Sequence, residues 1–192
     1  MFQPEAKYEF IRRYCSPGHG WQVFVDIDAS ELGETGGKRK KPESIERQRL
    51  MQEQGRQAMQ QLTSLGATVR GSRSAWFGAL KRAHPSCGGL SVPGDRDIIA
   101  LHPADNRLLV AEVEGTSSGQ PETKLYKALG QIVMAISETE SADFDTSFVV
   151  VVHGEKIGAH LRRASALSQL GISGLQIEQH PSRDRWVIGT PL

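Results

Sequence analysis

The sequence predicts an α/β protein in which a mixed central sheet is flanked by helices. Three observations predict it. Strand-like and helix-like segments alternate along most of the chain. In the middle, two strands are joined by the short turn HPADN. The run FVVVV (148–152) is apolar on both faces, as a central buried strand requires.

Taken in order, WQVFVDID (21–28) alternates as a strand does, and the polar, glycine-rich SELGETGGKRKKP (30–42) reads as a loop. A helix is expected over 44–65, with Ser44 as N-cap, Pro42 just outside and Gly66 at the stop. Ile45, Met51, Ala58, Met59, Leu62 and Leu65 fall near one face of it, and Gly55 weakens its middle. ATVR (67–70) is a short strand. AWFGALKRA (75–83) gives a helical turn or two, and PSCGGLSVPG (85–94) a loop. Residues 97–101 and 108–114 then form a hairpin. A helix over 122–137 follows, with Pro121 suited to its first turn. After the buried strand come a helix over 156–170, ended by Gly171, and two closing strands in LQIEQ and RWVIG.

The chain of 192 residues fits one domain, with an N-terminal strand and basic loop (1–43) packed on a core of 44–192. No apolar run approaches the ~20 residues of a membrane helix. The start, MFQPEAKYEF, lacks the order of a signal peptide, and two cysteines make no disulfide framework. A soluble protein of a reducing, cytoplasmic setting, without a membrane partner, is therefore expected. The net charge of +1 excludes a general polycation, but positive charge gathers at Lys38, Arg39, Lys40 and Lys41. That run reads either as a solvated loop or as an arm that touches phosphates.

The acids of the hairpin carry the chemistry. Leu108, Val110, Glu112 and Glu114 share one strand face, and Leu109, Ala111 and Val113 the other. Both faces begin apolar, so two carboxylates project from a buried strand, which is costly unless a cation meets them. The alternative is a solvent-facing strand face. Pairing brings Asp97 within reach of Glu112, with Asp95 as the alternative acid. Three carboxylates suit magnesium or manganese, and phosphodiester hydrolysis is the reaction such an ion serves. Carboxylate pairs also serve glycoside hydrolysis, but two acids at i, i+2 suit a shared ion better.

The aspartate opening DIIA and the glutamates of VAEVEG resemble the motif of the PD-(D/E)xK, or restriction-endonuclease-like, nucleases. The resemblance covers roughly 44–152 in order of elements. It implies an αβββαβ core, metal ligation by Asp97 and Glu112, a further ligand in the Val113 carbonyl, DNA as partner and the option of a homodimer. The sequence departs from the pattern at Glu114, which stands where the motif has lysine. Either Glu114 acts as base or extra ligand, or a lysine of the next helix reaches back. Lys124, Lys127 and Gln131 form one stripe on that helix, and ALGQI resembles the helix that follows the catalytic hairpin in related nucleases. Lys127 is favoured over Lys124; a solvated helix face is the alternative for both. Glu46 and Glu53 are weaker candidates.

Three other groups have two readings each. Cys15, His19, His84 and Cys87 have spacings that a zinc site tolerates, although unligated thiols fit better. His153 follows the buried strand and reads as a hydrogen-bonded strand end. Trp76 and Phe77 beside Lys81 and Arg82 form an aromatic and basic cluster that suits either a nucleic acid or the core.

Overall fold

The computed structural model describes residues 1–34, 42–116, 120–139 and 143–189; Lys38, Arg39, Lys40 and Lys41 lie outside the described residues. The elements are α1 (Gln3–Tyr14), β1 (Gln22–Val25), α2 (Pro42–Leu65), β2 (Thr68–Val69), α3 (Arg73–Ala83), β3 (Ile98–His102), β4 (Arg107–Glu114), α4 (Pro121–Glu138), β5 (Asp145–His153), α5 (Glu155–Arg163), β6 (Ile172–Ile177) and β7 (Arg185–Ile188). The seven strands form one mixed sheet in the order β2-β1-β3-β4-β5-β6-β7. β1, β3 and β4 pair antiparallel, whereas β4, β5 and β6 run parallel. The expected mixed sheet between helices is thus the architecture of the protein.

Two apolar layers hold it. Leu109, Ala111 and Val113 of β4 face α1 in one layer, while Leu108 and Val110 face α3, α4 and α5 in the other. Both layers bury the strand because its residues alternate across it. The β3–β4 turn closes through Asn106 at φ 51, the left-handed conformation that asparagine tolerates.

Helix α1 is the main departure from expectation. QPEAKYEFIRRY reads as polar, yet Ala6, Phe10 and Ile11 bury a narrow stripe on the sheet, with Pro4 in the first turn. It supplies the leading helix of the order helix, three antiparallel strands, helix, parallel strand (α1-β1-β3-β4-α4-β5), a place the sequence gives to the helix at 44–65. That later helix, α2, starts at Pro42 itself and packs chiefly on α1, with only Gly55, Ala58 and Leu62 buried; Ile45 is exposed. α3 spans three turns, with Ser72 Oγ accepting from Ala75 N–H at 3.3 Å. The helix expected over 156–170 splits into α5 and a 3-10 turn at Ser165–Leu170, which ends on Gly171 at φ 71 as expected.

Two glycines permit close approaches that shape the site. A Cβ on Gly115 would lie 2.4 Å from Gln3 N, so the start of α1 can cross the end of β4 only there. A Cβ on Gly55 would lie 2.6 Å from Leu32 Cδ2, so the turn carrying Glu31 can rest against α2.

Candidate active site

The β3–β4 register sets Ile98 opposite Ala111, and one step further it brings Asp97 beside Glu112. Asp97 is fixed there: Val113 N–H donates to its Oδ2 at 2.8 Å. Asp97, Glu112 and Glu114 line one cavity of about 340 Å³, together with Lys124, Lys127 and Gln131 of α4. The structure therefore brings together the whole set of hairpin and α4 residues expected from the sequence. Seven acidic residues and three basic ones line this cavity, and the buried Lys7 ammonium sits among the acids.

Sequence reasoning missed three residues. The first is Lys7, which reaches from α1 to the acids. Its Nζ lies 2.8 Å from Asp97 Oδ1 and 2.7 Å from Glu31 Oε1, and it also donates to Asp26 O. These contacts use all three ammonium donors, and the side chain is 0% exposed. Burial by itself would lower its pKa, but the charges of Asp97 and Glu31 outweigh that and raise it. Lys7 is thus an internal fixed cation, not a group offered to a substrate.

Glu31 is the second. Burial raises its pKa to about 7, Lys7 opposes the shift and Asp97 adds to it. Its Oε2 is buried without a partner. The turn that holds it is a reciprocal cap: Asp28 Oδ1 accepts from Glu31 N–H at 2.8 Å, and Glu31 Oε1 from Asp28 N–H at 3.4 Å. The D-x-x-E spacing of DASE carried that signal, which a reading of 30–42 as plain loop passed over.

Arg96 is the third. Its Nη2 donates to Glu138 Oε2 at 3.1 Å and its Nη1 to the Asp95 carbonyl, while Nε stands 4.0 Å from Glu112 Oε1, beyond hydrogen-bond reach. Glu112 is only 3% exposed, and its Oε1 has no partner among the described residues. Burial first, and then the Asp97 charge, push its pKa up to about 9, with Arg96 opposing. Glu114 is raised by burial, an effect countered by Lys124 at 3.2 Å.

The remaining candidates sit elsewhere. Among the described residues, no three His, Cys, Asp or Glu side chains gather in a group that could hold a metal. Asp97 and Glu112 approach each other, while Glu114 turns to Lys124. Glu46 and Glu53 are exposed on α2 and do not line the cavity. Asp95 lines its rim and contacts Arg73 at 3.5 Å. His153 Nδ1 is 3.0 Å from Ile177 O, as a strand-end histidine should be. Cys15 and Cys87 are free and buried in opposite layers of the sandwich, which separates the two halves of the considered zinc site. Among the described residues, no helix is long and apolar enough to cross a membrane.

No protein-family model and no curated protein sequence matches the chain.

Proposed function

We propose that the protein is a magnesium- or manganese-dependent nuclease that hydrolyses phosphodiester bonds in DNA, with Asp97 and Glu112 as the carboxylate ligands of the ion. The observation that carries this reading is the unpartnered, buried Glu112 Oε1 beside Asp97 at the end of a central strand. A carboxyl that burial and a neighbouring acid hold protonated to about pH 9 has no positive partner within hydrogen-bond reach, and a hard divalent ion supplies one. All donors at the site are oxygens, which suits that class of ion. Val113 directs its N–H toward Asp97, and in an extended strand its carbonyl leaves on the same side, which supports it as a neutral third ligand. Two carboxylates and a carbonyl form a set without three acidic side chains. The bound ion supplies charge neutralisation at a phosphate and acidifies a water.

The protein's own groups do the rest. Lys7 holds Asp97 in place and balances its charge. Lys124 opposes the effect of burial on Glu114, which lines the cavity and can orient or deprotonate a water. Lys127 and Gln131, on the same helix face, bind the phosphate backbone. The order α1-β1-β3-β4-α4-β5 supports the resemblance to the PD-(D/E)xK nucleases.

A second reading rests on the same side chains. Asp97 Oδ1 already has Lys7 and Oδ2 the Val113 amide, and the motif lysine is replaced by Glu114, as in a nuclease fold that binds nucleic acid without cutting it. One experiment separates the two. The purified protein is incubated with supercoiled, linear and single-stranded DNA in magnesium, manganese or chelator, and its melting is followed in each. Ion-dependent cleavage with a rise in Tm is expected; neither ion acting on cleavage or on Tm would leave only the binding reading.

The pH dependence has a definite sign. Because the Glu112 pKa is raised on folding, the stability it contributes is fully present below the ordinary glutamate pKa and is lost as pH rises toward about 9. In chelator, Tm should therefore fall between pH 5 and pH 9. Manganese displaces that proton, so its affinity should climb by up to about tenfold per pH unit over the same range. Calorimetric titration at several pH values checks this, and a pH-independent affinity would contradict it.

A further inference from the structure

A second, open groove of about 440 Å³ lies beside the acidic cavity. Its wall is the face of α3 that carries Arg73, Phe77 and Lys81 at i, i+4 and i+8, a stripe roughly 12 Å long. Ser74, Gly89 and Ser91 are among the residues that complete it, and no acidic residue lines it among those described. Lys81 Nζ stands 4.6 Å from the Phe77 ring centroid. Trp76 does not line the groove: it lies between Phe77 at 6.0 Å and Phe24 at 5.7 Å, tilted against both rings.

Groove and cavity share a border. Arg73 of the groove touches Asp95 of the cavity rim at 3.5 Å. The loop between them is pinned to the end of α4: Ser91 Oγ donates to Glu138 O at 3.1 Å and Gly94 N–H to Glu138 Oε2 at 2.7 Å. The partition is therefore fastened at two points, with acids on one side and cations on the other. A polyanion drawn to the ion in the cavity is repelled by the surrounding carboxylates, and the adjoining cations are where its flanking phosphates are stabilised.

We infer that this groove binds a single-stranded segment of nucleic acid flanking the scissile bond, with phosphates on Arg73 and Lys81 and a base against Phe77. This rests on the reading of the cavity as a nuclease site. The strand is single because the groove is near the small end of sites for one drug-sized molecule, and because stacking on Phe77 needs an unpaired base.

Gly89 offers a clean test. A Cβ there meets nothing within 4 Å, and its backbone is not left-handed, so Gly89→Glu places a carboxylate in the groove without disturbing the fold. Binding of fluorescent oligothymidine and of a duplex is measured by anisotropy in chelator, where no ion draws the strand into the cavity, for the wild type, Gly89→Glu, Gly89→Ala and Lys81→Glu. The manganese-induced Tm shift is read on each protein. Single strand should bind more tightly than duplex. Gly89→Glu and Lys81→Glu should each weaken it by roughly tenfold with a shallower salt dependence, while Gly89→Ala binds normally and all keep the Tm shift. Unchanged binding by Gly89→Glu, or no binding by the wild type, overturns the groove. A preference for duplex overturns the single-strand assignment. Loss of the manganese shift in the wild type strikes the nuclease reading instead.

Discussion

Replacing Glu112 by glutamine should abolish the manganese-induced rise in Tm and lower DNA cleavage by roughly 10²-fold or more, without destabilising the metal-free protein at pH 7. The two halves of this result have one cause. Burial and Asp97 hold the Glu112 carboxyl neutral to about pH 9, so at pH 7 glutamine replaces one neutral group by another of nearly the same shape. The ligand function is lost because an amide carries no charge to offer the ion. In chelator the variant should melt above the wild type already at pH 7, by a margin that grows toward pH 9, since only the wild type must keep in its folded state a proton that the unfolded chain releases. Thermal melts with and without manganese, and a cleavage time course, measure all of this. A Glu112→Gln protein that cuts DNA at the wild-type rate would remove Glu112 from the chemistry.

Lys7→Met should be the most destabilising single change, at about 3–5 kcal/mol, because it leaves Asp97 and Glu31 facing each other in a buried site with no cation between them. For a chain of this size that lowers Tm by roughly 6–20 °C. The exposed Arg12–Glu9 pair has a similar separation, 2.6 Å, yet its removal should cost ~0–1 kcal/mol, since water screens both partners. Methionine fills the volume of the lysine stem, so what is measured is the charge. Adding Glu31→Gln and Asp97→Asn should recover most of the loss, as a neutral core of equal volume often does. Manganese should also raise the Tm of Lys7→Met more than that of the wild type, because the ion replaces the missing charge. A variant melting within a degree or two of the wild type would mean that the ammonium carries no such burden.

The acidic hairpin was legible because its information is local. Period-two alternation fixes which residues of 108–114 share a face, and an apolar beginning on both faces marks the strand as buried. The α4 stripe of Lys124, Lys127 and Gln131 was legible from helical spacing for the same reason. Lys7 was not, since nothing in QPEAKYEFIRRY tells which acid its side chain will meet 90 positions downstream. Arg96 was hidden by its neighbours, two aspartates that draw attention to themselves. The leading place falls to the helix at 44–65 in the sequence because QPEAKYEFIRRY carries too few apolar residues to read as a helix, though α1 makes the better apolar contact with the sheet. Gly55 weakens its helix by sequence alone, yet its missing side chain makes room for the turn that delivers Glu31.

The order of the strands has a consequence for how the molecule comes apart. β4 has three neighbours on the β2 side and three on the β7 side, and its amides are reached by solvent only after one flank has opened. The two-residue β2 and the irregularly paired β7 are the margins where opening starts. Deuterium uptake should therefore be fastest at 68–69 and 185–188 and slowest at 109–113, where exchange requires global unfolding. Heat or denaturant would fray the periphery while the carboxylate centre still holds its geometry, so competence to bind an ion should outlast the first spectroscopic signs of melting.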